Sequence, residues 1–152
     1  KARTSGGLLV TAEDWMRVGL LHLKKGQVDG RQIVPVAWMN EIITPSPTNP
    51  NYGLQTWLGT EWQELRTYGK GVPTGVPHSE DFVVDDLFYF DGSGGQRVYV
   101  IPSEEMVIVH TGDGGMDQNT GNFAWDEALL PNLILRGIKP EVALEKIKEL
   151  TE

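Results

Sequence analysis

Between residues 87 and 110 three apolar runs follow one another with only short interruptions. They are Leu87-Phe88-Tyr89-Phe90, Arg97-Val98-Tyr99-Val100-Ile101 and Met106-Val107-Ile108-Val109-His110. Aromatic and β-branched residues in runs this short are the signature of strands rather than helices. The connections are Asp91-Gly92-Ser93-Gly94-Gly95-Gln96 and Pro102-Ser103-Glu104-Glu105. Neither can carry the dozen or more residues that a parallel crossover needs, so the three strands must be antiparallel neighbours. Every other element has to be placed around this meander.

Helical patterns flank it. Thr11 is a good N-cap, with Asp14 at its N3 position as a capping-box variant and Val10 and Trp15 placed for a hydrophobic staple. Trp15, Met16, Val18, Leu20, Leu21 and Leu23 then recur at helical spacing. Lys24 and Lys25 suit the negative end of the helix dipole, and Gly26 reads as C′. The pattern predicts a helix over 12–25. Residues 30–34 read as a short extended piece, and Pro35 as the N1 residue of a helix over 35–43 with Trp38, Ile42 and Ile43 inward. Residues 44–51 hold three prolines and exclude regular structure. Residues 52–58 read as a strand, and 66–81 as a long Gly/Pro loop of the kind that serves as a lid. A helix is expected over 123–136, bent or restarted at Pro131, and a last one over 140–151. The fold class expected is α+β, an antiparallel sheet flanked by helices.

Composition narrows the chemistry. With 13 basic against 21 acidic side chains the net charge is −8. No basic stripe is present to neutralise phosphates, so nucleic acid is not an expected partner. The absence of Cys removes disulfides, thiolate metal sites and a Cys nucleophile. No apolar stretch is long enough to span a bilayer. Asp113, Asp117 and Asn119 do not follow the EF-hand spacing and read as a polar turn. No Gly-x-Ser-x-Gly elbow and no helical Ser-x-x-Lys occurs, so the chain cannot assemble a recognisable catalytic serine. His22 falls inside the first helix, His78 in the Gly/Pro loop and His110 at the end of the last strand. Gly92-Ser93-Gly94-Gly95 enters a strand, the wrong context for a dinucleotide fingerprint. It reads either as a tight connection or as main chain stripped of side chains so that an N–H can meet a ligand oxygen. Trp57, Trp62 and Tyr68 are the aromatics available for a sugar or peptidoglycan platform.

The order of segments carries a further signal. Ser5-Gly6-Gly7-Leu8-Leu9-Val10-Thr11-Ala12-Glu13-Asp14 runs into Trp15-Met16-Arg17-Val18-Gly19-Leu20-Leu21. Gly30-Arg31-Gln32-Ile33-Val34-Pro35-Val36-Ala37-Trp38 and Tyr52-Gly53-Leu54-Gln55-Thr56-Trp57 follow. Phe90-Asp91-Gly92-Ser93-Gly94-Gly95-Gln96-Arg97-Val98-Tyr99-Val100-Ile101-Pro102 and the strand 106–109 complete the series. This order resembles the C-terminal portion of the serine β-lactamase-related family over most of residues 5–136. The family includes class C β-lactamases, D,D-peptidases, family VIII-type esterases and 6-aminohexanoate-dimer hydrolases. The opening Lys1-Ala2-Arg3-Thr4-Ser5, without Met, fits the same expectation of a piece of a longer protein. Residues 1–152 are then the C-terminal segment of a single domain.

The resemblance implies a three-layer fold and acyl transfer through a serine ester on an ester or amide substrate. The family's Ser-x-x-Lys pair and Tyr motif precede the segment present here, and no position of this chain matches them. The family's Lys/His-Thr/Ser-Gly triplet falls on Phe90-Asp91-Gly92, where only the glycine matches. Phe at the basic position does not attract a substrate carboxylate, which points to esterase, amidase or peptidase-like activity rather than antibiotic hydrolysis. The residue after the triplet, Ser93, supplies the main-chain N–H of the oxyanion hole, and Phe90, Asp91, Gly92 and Gly94 border the substrate. His110-Thr111-Gly112 spells the triplet two strands later, which makes His110 the alternative site residue. The implied partners are an upstream segment of the same protein bearing the serine, and a small ester or amide. No metal or cofactor is implied, and a periplasmic or secreted location is favoured by the resemblance alone. An inactive relative acting as a ligand- or peptidoglycan-binding module is the alternative expectation.

Overall fold

The structure, a computed structural model, describes residues 6–60, 80–112 and 125–137. In chain order the elements are α1 (Ala12–Leu23), β1 (Gln27–Val28), β2 (Arg31–Gln32), α2 (Val36–Ile42) and β3 (Trp57–Leu58). Then come β4 (Phe88–Gly92), β5 (Gln96–Ile101), β6 (Met106–His110) and α3 (Leu129–Leu135). The fold is α+β. Its main sheet is four-stranded and antiparallel throughout, in the order β3-β4-β5-β6.

The pleat sorts the sheet into two apolar faces. Leu58, Phe88, Val98 and Val100 point one way and receive Trp15 and Leu23 of α1. Gly19 makes that approach possible, since a Cβ there would run into Val107 and Val98. Trp57, Tyr89, Tyr99, Ile101, Met106 and Ile108 point the other way and receive Ala128, Leu130 and Leu135. Helices therefore pack on both faces, and β5, one of the two inner strands, is the best buried, with Tyr99, Val100 and Ile101 at zero exposure.

The local signals for α1 act as their chemistry requires. Thr11 Oγ1 accepts the Asp14 N–H at 3.1 Å, and the Asp14 carboxylate accepts the Thr11 N–H at 3.3 Å. The Thr11 hydrogen bonds hold the Asp14 carboxyl below its usual pKa. The helix ends at Lys24. Both Lys25 and Gly26 then take left-handed φ, at 49° and 86°. Lys25 therefore occupies C′, and Gly26, expected there, is C″.

Several expectations need correction. Residues 27–32 form a small hairpin whose turn residues Asp29 and Gly30 have φ of 48° and 74°, as a type I′ turn demands. Pro35 is the N-cap of α2 rather than its N1 residue. Met39 is the residue buried under α2, whereas Trp38 is 53% exposed. The expected strand 52–58 is reduced to Trp57–Leu58. Gly53 abuts the Ile42 carbonyl, Gln55 is left-handed at φ 56°, and the Gly53 N–H donates to Thr56 O at 2.8 Å, so the chain reverses there. The helix expected over 123–136 is confined, among the described residues, to Leu129–Leu135, with Pro131 in its first turn where no N–H is required. The expected helix 140–151 and nearly all of the expected lid 66–81 lie outside the described residues.

Candidate functional site

The connection between β4 and β5 is the best-supported candidate. Register pairs Gly92 with Gln96 and Asp91 with Arg97. Ser93–Gly95 form a 3-10 turn in which Gly94 and Gly95 have φ of 76° and 81°. Those angles are open to glycine and costly for other residues. A Cβ at Gly92 would sit 2.8 Å from Gln96 Cβ, so the closing pair of the hairpin also needs glycine.

Three side chains, Arg97, His110 and Gln96, fix this stretch of backbone, and Asp91 and Glu127 hold Arg97. Arg97 is buried beneath it. Its Nη1 donates to Gly92 O at 2.9 Å and to Gln96 O at 2.8 Å, and lies 2.6 Å from Asp91 Oδ1. Its Nε and Nη2 make a bidentate pair with Glu127 at 2.7 and 2.5 Å. His110 reaches the turn from β6, its Nδ1 2.9 Å from Gly95 O. A carbonyl can only accept, so Nδ1 is the donor in this contact. The Gln96 side-chain amide donates to Gly112 O and accepts the Gly112 N–H at 3.2 Å.

A third tier holds these groups. The His110 ring stacks on Trp125 with centroids 4.0 Å apart. Trp125 Nε1 donates to the Tyr99 hydroxyl at 3.2 Å, and that hydroxyl donates to the Glu127 carbonyl at 3.0 Å. Burial, reinforced by the charge of Glu127, pushes the Tyr99 phenol far above its ordinary pKa, so it stays a neutral donor.

The candidate residues divide by face. Phe90 lies on the α1 side, half-buried, its ring 4.8 Å from His22 in an edge-on contact. Asp91 faces the other way and is committed to Arg97. Gly92, Ser93 and Gly94 form the turn itself. His110 is two strands later in sequence, yet the ladder pairs it with Arg97 and so brings it beside Gly95. His22 donates no strength to this corner. Its Nδ1 lies 2.9 Å from Val18 O within α1, and burial depresses its pKa. Trp57 is half-buried against Tyr52 and the apolar core. His78, Trp62, Tyr68, Asp113, Asp117 and Asn119 lie outside the described residues.

Arg97, Glu127, Tyr99 and Trp125 were not among the expected site residues. One signal for Arg97 was present: a charged residue in an otherwise apolar strand, with an Asp opposite it once the hairpin is closed. Nothing local marks Glu127. Among the described residues no group of three His, Cys, Asp or Glu could hold a metal ion, and no helix is long and apolar enough to cross a membrane. No protein-family model and no curated protein matches this chain.

Proposed function

We propose that this chain is the C-terminal part of a serine hydrolase related to the β-lactamases and D,D-peptidases, acting by acyl transfer on an ester or amide. The Gly92–Gln96 turn forms one wall of its reaction pocket, with Phe90, Gly92 and Gly94 along that wall; Asp91, expected there too, lies beneath the turn instead, bound to Arg97. The N–H of Ser93 is a donor to the developing oxyanion. The nucleophilic serine and its base belong to polypeptide outside this chain.

One observation carries the reading: a glycine turn stripped of side-chain cover is pinned by Arg97, His110 and Gln96. Main-chain donors stabilise an oxyanion only when they are preorganised, because reorganisation at the moment of reaction would cancel the gain. The α+β arrangement, with helices on both faces of the sheet, is compatible with the three-layer fold that the resemblance implies. The β6 strand pairs only with β5 among the described residues, so its outer edge offers a place for a further strand.

Hydrolysis of p-nitrophenyl acetate tests the reading. The purified 152-residue chain is expected to be inactive, and adding the upstream polypeptide that bears the serine is expected to give turnover blocked by a serine-directed phosphonate. Phosphonate-sensitive turnover by the 152-residue chain alone contradicts the placement of the nucleophile.

A further inference from the structure

The two hairpin connections of β5 are built at very different cost. Pro102–Glu104 reverses the chain with a local 3-10 turn on the surface. Gly92–Gln96 is underlain by a guanidinium and two carboxylates whose side chains are 2%, 9% and 0% exposed. Taking such charges out of water opposes folding, and well-packed apolar residues would serve a plain reversal at least as well. The placement of those charges must therefore be explained by what they hold.

They hold a particular peptide plane. Arg97 Nη1 is bonded to the carbonyl of Gly92, and the chain has no cis peptide among the described residues. In a planar trans peptide the C=O and the following N–H point in opposite directions. Fixing Gly92 C=O toward Arg97 therefore aims the Ser93 N–H away from it. The second carbonyl on Nη1, that of Gln96, fixes the other foot of the turn. Glu127 holds the fork of the guanidinium from the far side, so Nη1 cannot swing. Lysine has the charge but lacks the planar fork, and cannot make both sets of contacts at once.

We infer that Arg97 is a positioning residue which, clamped by Glu127, sets the direction of the Ser93 N–H through the Gly92 carbonyl. The catalytic use of that direction rests on the acyl-transfer reading; the direction itself does not. In a folded Arg97→Lys variant the Gly92–Ser93 peptide loses its side-chain anchor while the ladder of β5 and β6 persists.

Residual dipolar couplings of the ¹⁵N-labelled 152-residue chain test this for the wild type, Arg97→Lys and Glu127→Gln. The expected result is loss of the Ser93 N–H coupling through motional averaging in Arg97→Lys and a smaller loss in Glu127→Gln, with the couplings of Tyr99, Val100 and Ile108 retained. An unchanged Ser93 coupling in a folded Arg97→Lys variant overturns the inference. If neither variant folds, the wild type decides: a scalar coupling across the hydrogen bond from Arg97 Nη1 to the Gly92 carbonyl carbon supports it, and a freely rotating guanidinium without that coupling overturns it. None of these readouts involves turnover. A lost Ser93 coupling beside an assembled protein that hydrolyses no ester discards the acyl-transfer reading and keeps the positioning role. An unchanged coupling beside an active protein does the reverse.

Discussion

The two ends of β5 compare a turn that only reverses the chain with a turn that is held in place. At Pro102–Glu104 most of the conformation is supplied by the turn's own residues. Proline presets φ, Glu105 completes the reversal at φ 47°, and Asp86 caps the turn by accepting from Ser103 N–H and Oγ at 2.7 and 2.8 Å. At Gly92–Gln96 the sequence supplies freedom instead: glycines that would sample many conformations in isolation. The conformation there is imposed by side chains: Arg97 and His110 bond carbonyls of the turn, and Gln96 ties its foot to Gly112. A flexible backbone combined with side-chain constraints leaves main-chain groups fixed without a proline.

The largest expected effect breaks that imposed order. Arg97→Met removes the guanidinium that Glu127 and Asp91 share in a buried site and is expected to cost about 3–5 kcal/mol. Urea unfolding followed by far-ultraviolet circular dichroism measures it, and a loss below about 1 kcal/mol, the value of a surface pair, contradicts the role assigned to the network. Next, Gly94→Ala adds a Cβ with nothing nearer than Gln96 Nε2 at 3.9 Å, so its cost is one of φ alone. A loss of about 1–2 kcal/mol is expected from the left-handed conformation.

The Pro turn is expected to respond weakly. Ser103→Ala removes one of the two Asp86 contacts at an exposed position and should cost about 0.5 kcal/mol. Glu105→Gly relieves a left-handed non-glycine residue and should be neutral or stabilise by about 0.5 kcal/mol, the opposite sign to Gly94→Ala. Thermal melts of the two variants side by side show whether the signs differ. The smallest effect concerns the strand leading into the glycine turn. Burial against Phe88 and Phe90 lowers the His22 pKa from 6.5. The unfolded chain therefore takes up this proton first as pH falls, and stability drops from about pH 6.5 downward until the folded ring also titrates. The slope of Tm against pH below 6.5 should flatten in His22→Gln.

What the residues made legible follows the same division. Elements whose cause is local could be read directly: the meander 87–110 from its short connections, and α1 from the Thr11–Asp14 box. Elements decided by distant contacts could not. Tyr52–Leu58 carries strand-forming residues, yet the approach of Gly53 to the Ile42 carbonyl folds it back. Trp38 fits an inward position by spacing, yet the packing selects Met39. At the candidate site the glycines announce a special turn, and the hairpin register alone pairs Asp91 with Arg97. Glu127, Trp125 and the arrival of His110 beside Gly95 depend on tertiary placement, and no spacing in the sequence encodes them.

On the proposed reading the Ser93 N–H meets an oxyanion. The rate of acylation by p-nitrophenyl acetate in the protein assembled with its serine-bearing segment decides this, comparing Ser93→Ala with Ser93→Pro. Alanine keeps the N–H and proline deletes it. The alanine variant is expected to lose less than about tenfold while a folded proline variant loses about 10²–10³-fold, the value of one oxyanion donor. A folded proline variant that acylates as fast as the alanine variant contradicts it.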